Sequence, residues 1–137
     1  MNNDSSSFIW TCNPQPSKLS DYVFNVLKDE SRNADRVKSS YHAAAIVYKK
    51  RILSIGLNRR KTHPLMTKYN SRSGQIFLHS EVDAIIKTIN LYGQDILKEC
   101  SLYVLRTTKS GKIGYSKPCS SCQQHIDFYG IKKVFWS

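Results

Sequence analysis

Residues that mark unusual architectures are scarce in this chain. Its 137 residues include six glycines, four prolines and two methionines, which excludes a collagen-like repeat and a Pro/Gly-rich disordered chain. No apolar run approaches the ~20 residues of a membrane-spanning helix. Met1 to Ser7 lacks both the basic stretch and the apolar core of a secretory signal, so a cytoplasmic protein with no membrane partner is expected. Internal repeats are missing, and Ser5-Ser6-Ser7 is the sole low-complexity tract. The most informative absence is of acid. From Arg36 to Ser80 there is no Asp or Glu, while Arg36, Lys38, Lys49, Lys50, Arg51, Arg59, Arg60, Lys61, Lys68 and Arg72 supply ten of the positive charges behind a formal net charge of +11. A solvated face usually mixes both signs. A one-sign block instead concentrates phosphate-bearing ligands, either a nucleotide or a nucleic acid.

What is present is ordinary globular material. With 40% hydrophobic and 23% charged residues the chain can bury a core at this length, and one domain is expected. Asn13-Pro-Gln-Pro-Ser17 breaks structure; Leu19, Tyr22, Val23, Val26 and Leu27 then recur at helical spacing, with Ser17 or Ser20 as the cap. Tyr41 to Tyr48 and Arg51 to Leu57 are β-rich and joined by Lys49-Lys50, which predicts an antiparallel hairpin. Asn58 to Gly74 reads as a long polar loop. Val82, Ile85, Ile86 and Ile89 form the stripe of a second helix that opens near His79 and stops at Tyr92-Gly93. A strand over Ser101 to Thr107 follows, then an excursion over Lys109 to Ser116. Pro118 suits the start of a third helix, Cys119 to Tyr129, closed by Gly130, and Lys132 to Trp136 forms a last strand. This order predicts an α/β layered domain with a mixed sheet.

The chemistry-bearing residues stand where the last two helices begin. Cys119-x-x-Cys122 at a helix start turns both sulfurs to one face, within reach of one ion. A lone C-x-x-C also fits a redox pair. The residue that favours metal is His79, 40 positions upstream of Cys119 at the opening of the preceding helix. Two thiolates and one imidazole leave the fourth position of a tetrahedral zinc open, which is the pattern of a catalytic rather than a structural ion. Such an ion lowers the pKa of water toward ~7. Glu81, two residues beyond the histidine, is suited to moving protons without being a ligand.

His79-x-Glu81 followed by Pro118-Cys119-x-x-Cys122 resembles the zinc-binding signature of the cytidine/deoxycytidylate deaminase superfamily. Gly56-Leu57-Asn58 resembles that family's substrate-contacting Gly-x-Asn, and Gly130-Ile-Lys-Lys-Val134 the stretch leading into its fourth strand. The resemblance implies a three-layer α-β-α cytidine-deaminase-like fold, with residues 18–137 as a single zinc domain behind an irregular segment, 1–17. It implies Zn²⁺ held by His79, Cys119 and Cys122, attack by hydroxide on the ring carbon that carries the amine, and Glu81 as the catalytic proton shuttle. Asn58 and Ser80 would lie against the base, where many relatives have Ala in place of Ser80; relatives also often carry an acid where Lys117 stands. Relatives usually continue past the strand ending at Trp136. Either the sheet is shortened at its C-terminal edge, or another subunit or the segment around Phe8, Ile9 and Trp10 covers that edge, and a homo-oligomer is expected.

Arg59, Arg60 and Lys61 follow Asn58 and are candidates for the substrate's phosphates, and His63 for a base or a phosphate. His42 lies in an apolar strand and reads as structural, His125 as a surface residue. Cys12 and Cys100 lack metal-ligand spacing and read as packing residues or free thiols. Tyr69, Phe77, Tyr115 and Trp136 read as core before base-stacking groups. The expected activity is deamination of cytosine to uracil in a pyrimidine nucleotide of the dCMP/CMP type. A deaminase of polynucleotide, acting on cytosine in single-stranded DNA or adenine in tRNA, is the second reading, and a non-catalytic zinc domain binding nucleic acid the third.

Overall fold

The computed structural model describes residues 9–12, 17–36, 40–68 and 77–137. Lys38, Tyr69, Arg72 and Phe8 lie outside them, as does the end of the expected loop beyond Lys68. In chain order the elements are β1 (Ile9–Cys12), α1 (Lys18–Glu30), β2 (Ser40–Tyr48), β3 (Arg51–Leu57), α2 (Pro64–Lys68), α3 (Ser80–Tyr92), β4 (Cys100–Thr108), β5 (Ile113–Gly114), α4 (Ser120–Tyr129) and β6 (Lys133–Trp136), with short 3₁₀ turns at Ser31–Asn33 and Asp95–Glu99.

The strands run in the order β1-β6-β4-β2-β3, with β5 beside the far end of β4. β3 and β4 flank β2 antiparallel, while β6 is parallel to β4 and β1 is parallel to β6, so the sheet is mixed as expected. Its centre, Ala43 to Val47, is wholly apolar because both faces are covered. Strand alternation turns Ala43, Ala45 and Val47 toward Val23 and Leu27 of α1. Ala44 and Ile46 point the other way, to Ala84 and Ile85 of α3 and to Ile126 and Tyr129 of α4. The result is the three-layer α-β-α arrangement. Each fully buried Val, Leu or Ile contributes ~1.5–3 kcal/mol.

The local rules hold closely. Ser17 caps α1, accepting from the Ser20 backbone at 3.0 Å, and the Ser20 hydroxyl accepts from the Ser17 amide in return. The hairpin turns at Lys49, whose φ of 56° supplies the left-handed residue a two-residue loop needs. α4 ends on Gly130 at φ 78°. Among the described residues no helix is long and apolar enough to cross a membrane.

Three expectations are corrected. The segment 1–17, read as irregular, contains β1, which occupies the sheet edge beyond β6; of the two covers weighed for that edge, this chain uses its own N-terminal strand. The polar loop after Asn58 is not wholly irregular, for it carries α2. His125, read as a surface residue, is 1% exposed, because α4 turns Cys122, His125, Ile126 and Tyr129 inward at i, i+3, i+4 and i+7 and the imidazole falls on that stripe.

Candidate metal centre

The two ligand-bearing helix starts share a feature that frees their side chains. His79 is the N-cap of α3 and Cys119 the N-cap of α4; both have extended backbone, and neither side chain makes a capping bond. N-cap side chains ordinarily turn back onto the helix amides. Here they are left to meet each other. His79 Nδ1 lies 3.2 Å from Cys122 Sγ and 3.7 Å from Cys119 Sγ, and the three donor atoms all fall within 4.8 Å of one another. One imidazole and two sulfurs at this separation are a zinc donor set with a position to spare.

The sulfurs differ in kind. Cys122 is completely buried and Cys119 exposed. A hydrogen bond from the Cys122 thiol holds Cys119 down to about 3, helped by His79 and opposed by burial. The same bond, with burial, pushes Cys122 well above its usual range. The pair thus keeps one proton between them at neutral pH, and one thiolate is already formed for a cation. Apolar packing closes the inner side. Met66 of α2, fully buried, joins Leu78, Val82 and Cys122 in one cluster, and two bonds tie that loop to Leu78, just ahead of α3, Arg59 N to the Leu78 carbonyl at 3.0 Å and Leu78 N to the Lys61 carbonyl at 2.8 Å.

Beside the ligands lies a polar chain. The Ser80 hydroxyl donates to Glu81 Oε1 at 2.9 Å, and Glu81 is 5% exposed. The Ser80 backbone amide donates to Asn58 Oδ1 at 2.9 Å, and Asn58 Nδ2 sits 2.9 Å from His42 Nδ1. Burial lowers the pKa of His42, partly opposed by Glu81. Asp83 fixes the strand that carries Asn58. Its Oδ2 accepts from the Leu57 amide at 2.9 Å and pairs with Lys87 at 3.2 Å, and Lys87 in turn donates to the Ile55 carbonyl.

His79, Glu81, Cys119, Cys122, Ser80 and Asn58 are therefore brought together. The basic candidates are not all free to follow. Arg59 donates to the Asn33 carbonyl at 3.0 Å, and Arg60 to the Arg36 carbonyl at 2.9 Å, so both guanidinium groups clasp the segment after α1. Lys61 is exposed. His63 accepts from the Leu65 amide at 3.1 Å and caps α2 with its ring. Sequence reasoning missed Asp83 and Met66; an acid on the inward face of α3 was a signal for the first, whereas nothing in the loop pattern marked the second. Cys100 is buried with its thiol pushed up to about 11, which fits a packing role.

The profile of the cytidine and deoxycytidylate deaminase zinc-binding region matches residues 17–137. The chain belongs to that family. It is a zinc-dependent hydrolytic deaminase by class, and His79, Cys119 and Cys122 are the group suited to its ion. Solved structures share this deaminase fold. A dCMP deaminase from the cyanophage S-TIM5, in complex with dCMP and dUMP, is 20% identical with a TM-score of 0.60, over 90% of this chain and 83% of that one. Cytidine deaminase from Mycobacterium tuberculosis is 18% identical with a TM-score of 0.51, over 83% of each chain. Guanine deaminase from Bacillus subtilis is 24% identical with a TM-score of 0.50, over 82% of this chain and 57% of that one. No curated protein matches this deaminase in sequence.

Proposed function

We propose that the protein converts cytosine to uracil in a pyrimidine nucleotide of the dCMP/CMP type, exchanging the exocyclic amine for oxygen and releasing ammonia. The observation that carries this is the buried Glu81 placed two residues after a metal ligand, its carboxylate held by the Ser80 hydroxyl and its neighbour's amide holding Asn58. The likeness to a cyanophage enzyme crystallised with dCMP and dUMP supports the choice of base and of a phosphorylated substrate.

Zinc, when bound at His79, Cys119 and Cys122, supplies the acidification of water toward a pKa of ~7. The chain's own groups do the rest. Glu81 takes one proton from the attacking water and delivers it to the ring nitrogen, then takes the second from the hydroxyl now on the ring carbon and passes it to the departing amine, which leaves as ammonia, so that protons balance over the cycle. Ser80 keeps the carboxylate aimed, and Asn58 and the backbone beside Ser80 hold the base or its sugar. Lys61, exposed beyond Asn58, receives the phosphate, while Arg59 and Arg60 hold the segment after α1 beside it.

A second reading, deamination within a polynucleotide, is favoured by the acid-free block from Arg36 to Ser80. Incubating zinc-loaded protein with dCMP, CMP, deoxycytidine, single-stranded DNA and tRNA, with products resolved by mass, separates the two. Turnover of dCMP over deoxycytidine, with KM raised several-fold in Lys61→Ala, supports the first. Turnover of the oligonucleotide alone, with affinity falling at a log–log salt slope of about −0.7 per phosphate contact, supports the second. No amine loss from any substrate overturns both. An oligomer is part of the proposal, supported by exposed Leu91 and Tyr92 on α3 and Phe128 on α4; a monomer in analytical ultracentrifugation removes it.

A further inference from the structure

His42 reads from sequence as a structural residue of an apolar strand, yet it is half-buried and its ring meets the side chain of Asn58. The protonation of that ring follows from a group that cannot change its role. The Ser80 backbone N–H, 2.9 Å from the Asn58 amide, can only donate. The amide must therefore turn Oδ1 toward Ser80, because the flipped amide would set two donors face to face. With Oδ1 placed, Nδ2 faces His42, and an amide nitrogen has only hydrogens to give. His42 Nδ1, 2.9 Å away, must accept. Its proton is then on Nε2, and the imidazole is neutral.

The backbone reinforces the pairing. The Asn58 amide donates to the His42 carbonyl at 3.3 Å, just past the last paired residues of β2 and β3, Ala43 and Leu57, so both side chains rise from one pair of facing residues. The cation opposite His42 on β4 is engaged elsewhere: Arg106 donates through Nε to the Ser40 hydroxyl at 2.8 Å and through its terminal nitrogen to the Tyr115 carbonyl. Asn58 is thus gripped at both ends of its amide, by the helix that carries His79 and Glu81 and by β2. One Nδ2 hydrogen and one Oδ1 lone pair are left over for a substrate.

We propose that His42 is a positioning residue of this deaminase, fixing the amide of Asn58 in one orientation through a neutral imidazole protonated on Nε2. The proposal rests on the reading above in which Asn58 contacts the nucleotide. Without His42 the amide keeps one anchor and rotates about its last torsion, which weakens substrate binding and leaves the proton path of Glu81 intact. The loss falls on KM.

Zinc-loaded protein and its variants test this with dCMP as substrate. His42→Leu, which removes the acceptor, should raise KM about two- to tenfold, the worth of one hydrogen bond, with kcat within about twofold of the parent. His42→Asn places an oxygen where Nδ1 stood and should restore KM. Long-range ¹⁵N–¹H correlation at neutral pH should show His42 protonated at Nε2 and bare at Nδ1, a readout independent of turnover. An Nδ1–H tautomer, a doubly protonated ring, or equal KM in His42→Leu and His42→Asn overturns the proposal. Asn58→Ala separates the two levels. If it raises KM while His42→Leu does not, only the positioning role is lost; if neither raises KM, the substrate contact of Asn58 is lost with it.

Discussion

Gly56 passes the first turn of α3 so closely that a Cβ on it would collide with the carbonyl oxygen of Ser80 and the backbone of Ala84. The glycine ahead of Asn58 is thus a packing requirement: it lets β3 press against the helix that carries His79 and Glu81. Gly56→Ala must push strand and helix apart, at a cost of about 1–3 kcal/mol. A drop of several degrees in Tm is expected, with weaker zinc retention, since the Asn58 to Ser80 bond shifts with the strand. Melting by calorimetry alongside metal analysis checks it, and an unchanged Tm would show that the contact relaxes without cost.

Zinc should copurify at about one ion per chain, given one group of three donors among the described residues. The double change Cys119→Ser, Cys122→Ser should abolish that zinc and lower stability, because the ion joins the start of α3 to the start of α4. Chelation of the parent should produce the same softening. Full zinc content in the double variant would sink the assignment.

Among Cys100, Cys119 and Cys122, thiol reactivity in the metal-free protein should single out Cys119. It is exposed and its pKa is about 3, whereas Cys100 and Cys122 are buried with raised values. An ordinary exposed thiol gains thiolate as pH rises toward its pKa of ~8.5. Cys119 is deprotonated throughout the neutral range, so its alkylation rate should stay flat from mildly acidic to neutral pH, and zinc should block it. The sign for stability follows: a depressed pKa stabilises the fold above the unfolded value, and that contribution shrinks as pH falls toward 3. A Cys119 labelling rate that climbs tenfold per pH unit would contradict the pairing with Cys122.

Glu81→Gln should keep both zinc and Tm and lose nearly all deamination. The amide preserves shape, and its oxygen still accepts from the Ser80 hydroxyl, but it cannot carry a proton; general acid–base groups supply ~10²–10⁴ in rate. Product assay and metal analysis on the same preparation decide it. Retained turnover, or lost zinc, would remove Glu81 from the role given to it.

Much of this was legible in the sequence for local reasons. The spacing of His79, Glu81, Cys119 and Cys122 is a matter of helix geometry, and the apolar run Ala43 to Val47 declares a strand buried on both faces. The order of helices and strands from Lys18 to Trp136 follows from periods and caps. What escaped was non-local or too short to show a period. The pairing of Ile9 with Lys133 joins opposite ends of the chain, and no local pattern encodes it. α2 spans five residues, fewer than a hydrophobic period needs to register. His125 was misjudged as a single polar residue on an otherwise apolar stripe. Arg59 and Arg60 sit at the expected position beside Asn58, but their bonds to the Asn33 and Arg36 carbonyls join two loops, and charge alone could not distinguish a clasp from a phosphate contact.

The parallel pairing of β1 with β6 also sets an order in time. Ile9–Cys12 leaves the ribosome long before its partner Lys133–Trp136. Until that partner emerges β1 waits without its ladder, while β2 and β3 can already pair as near neighbours in sequence. Closing so long a loop is the slowest kind of contact to make. The completed edge is therefore expected late in folding, and a β6 not yet paired would be open to the wrong strand, including β1 of another copy.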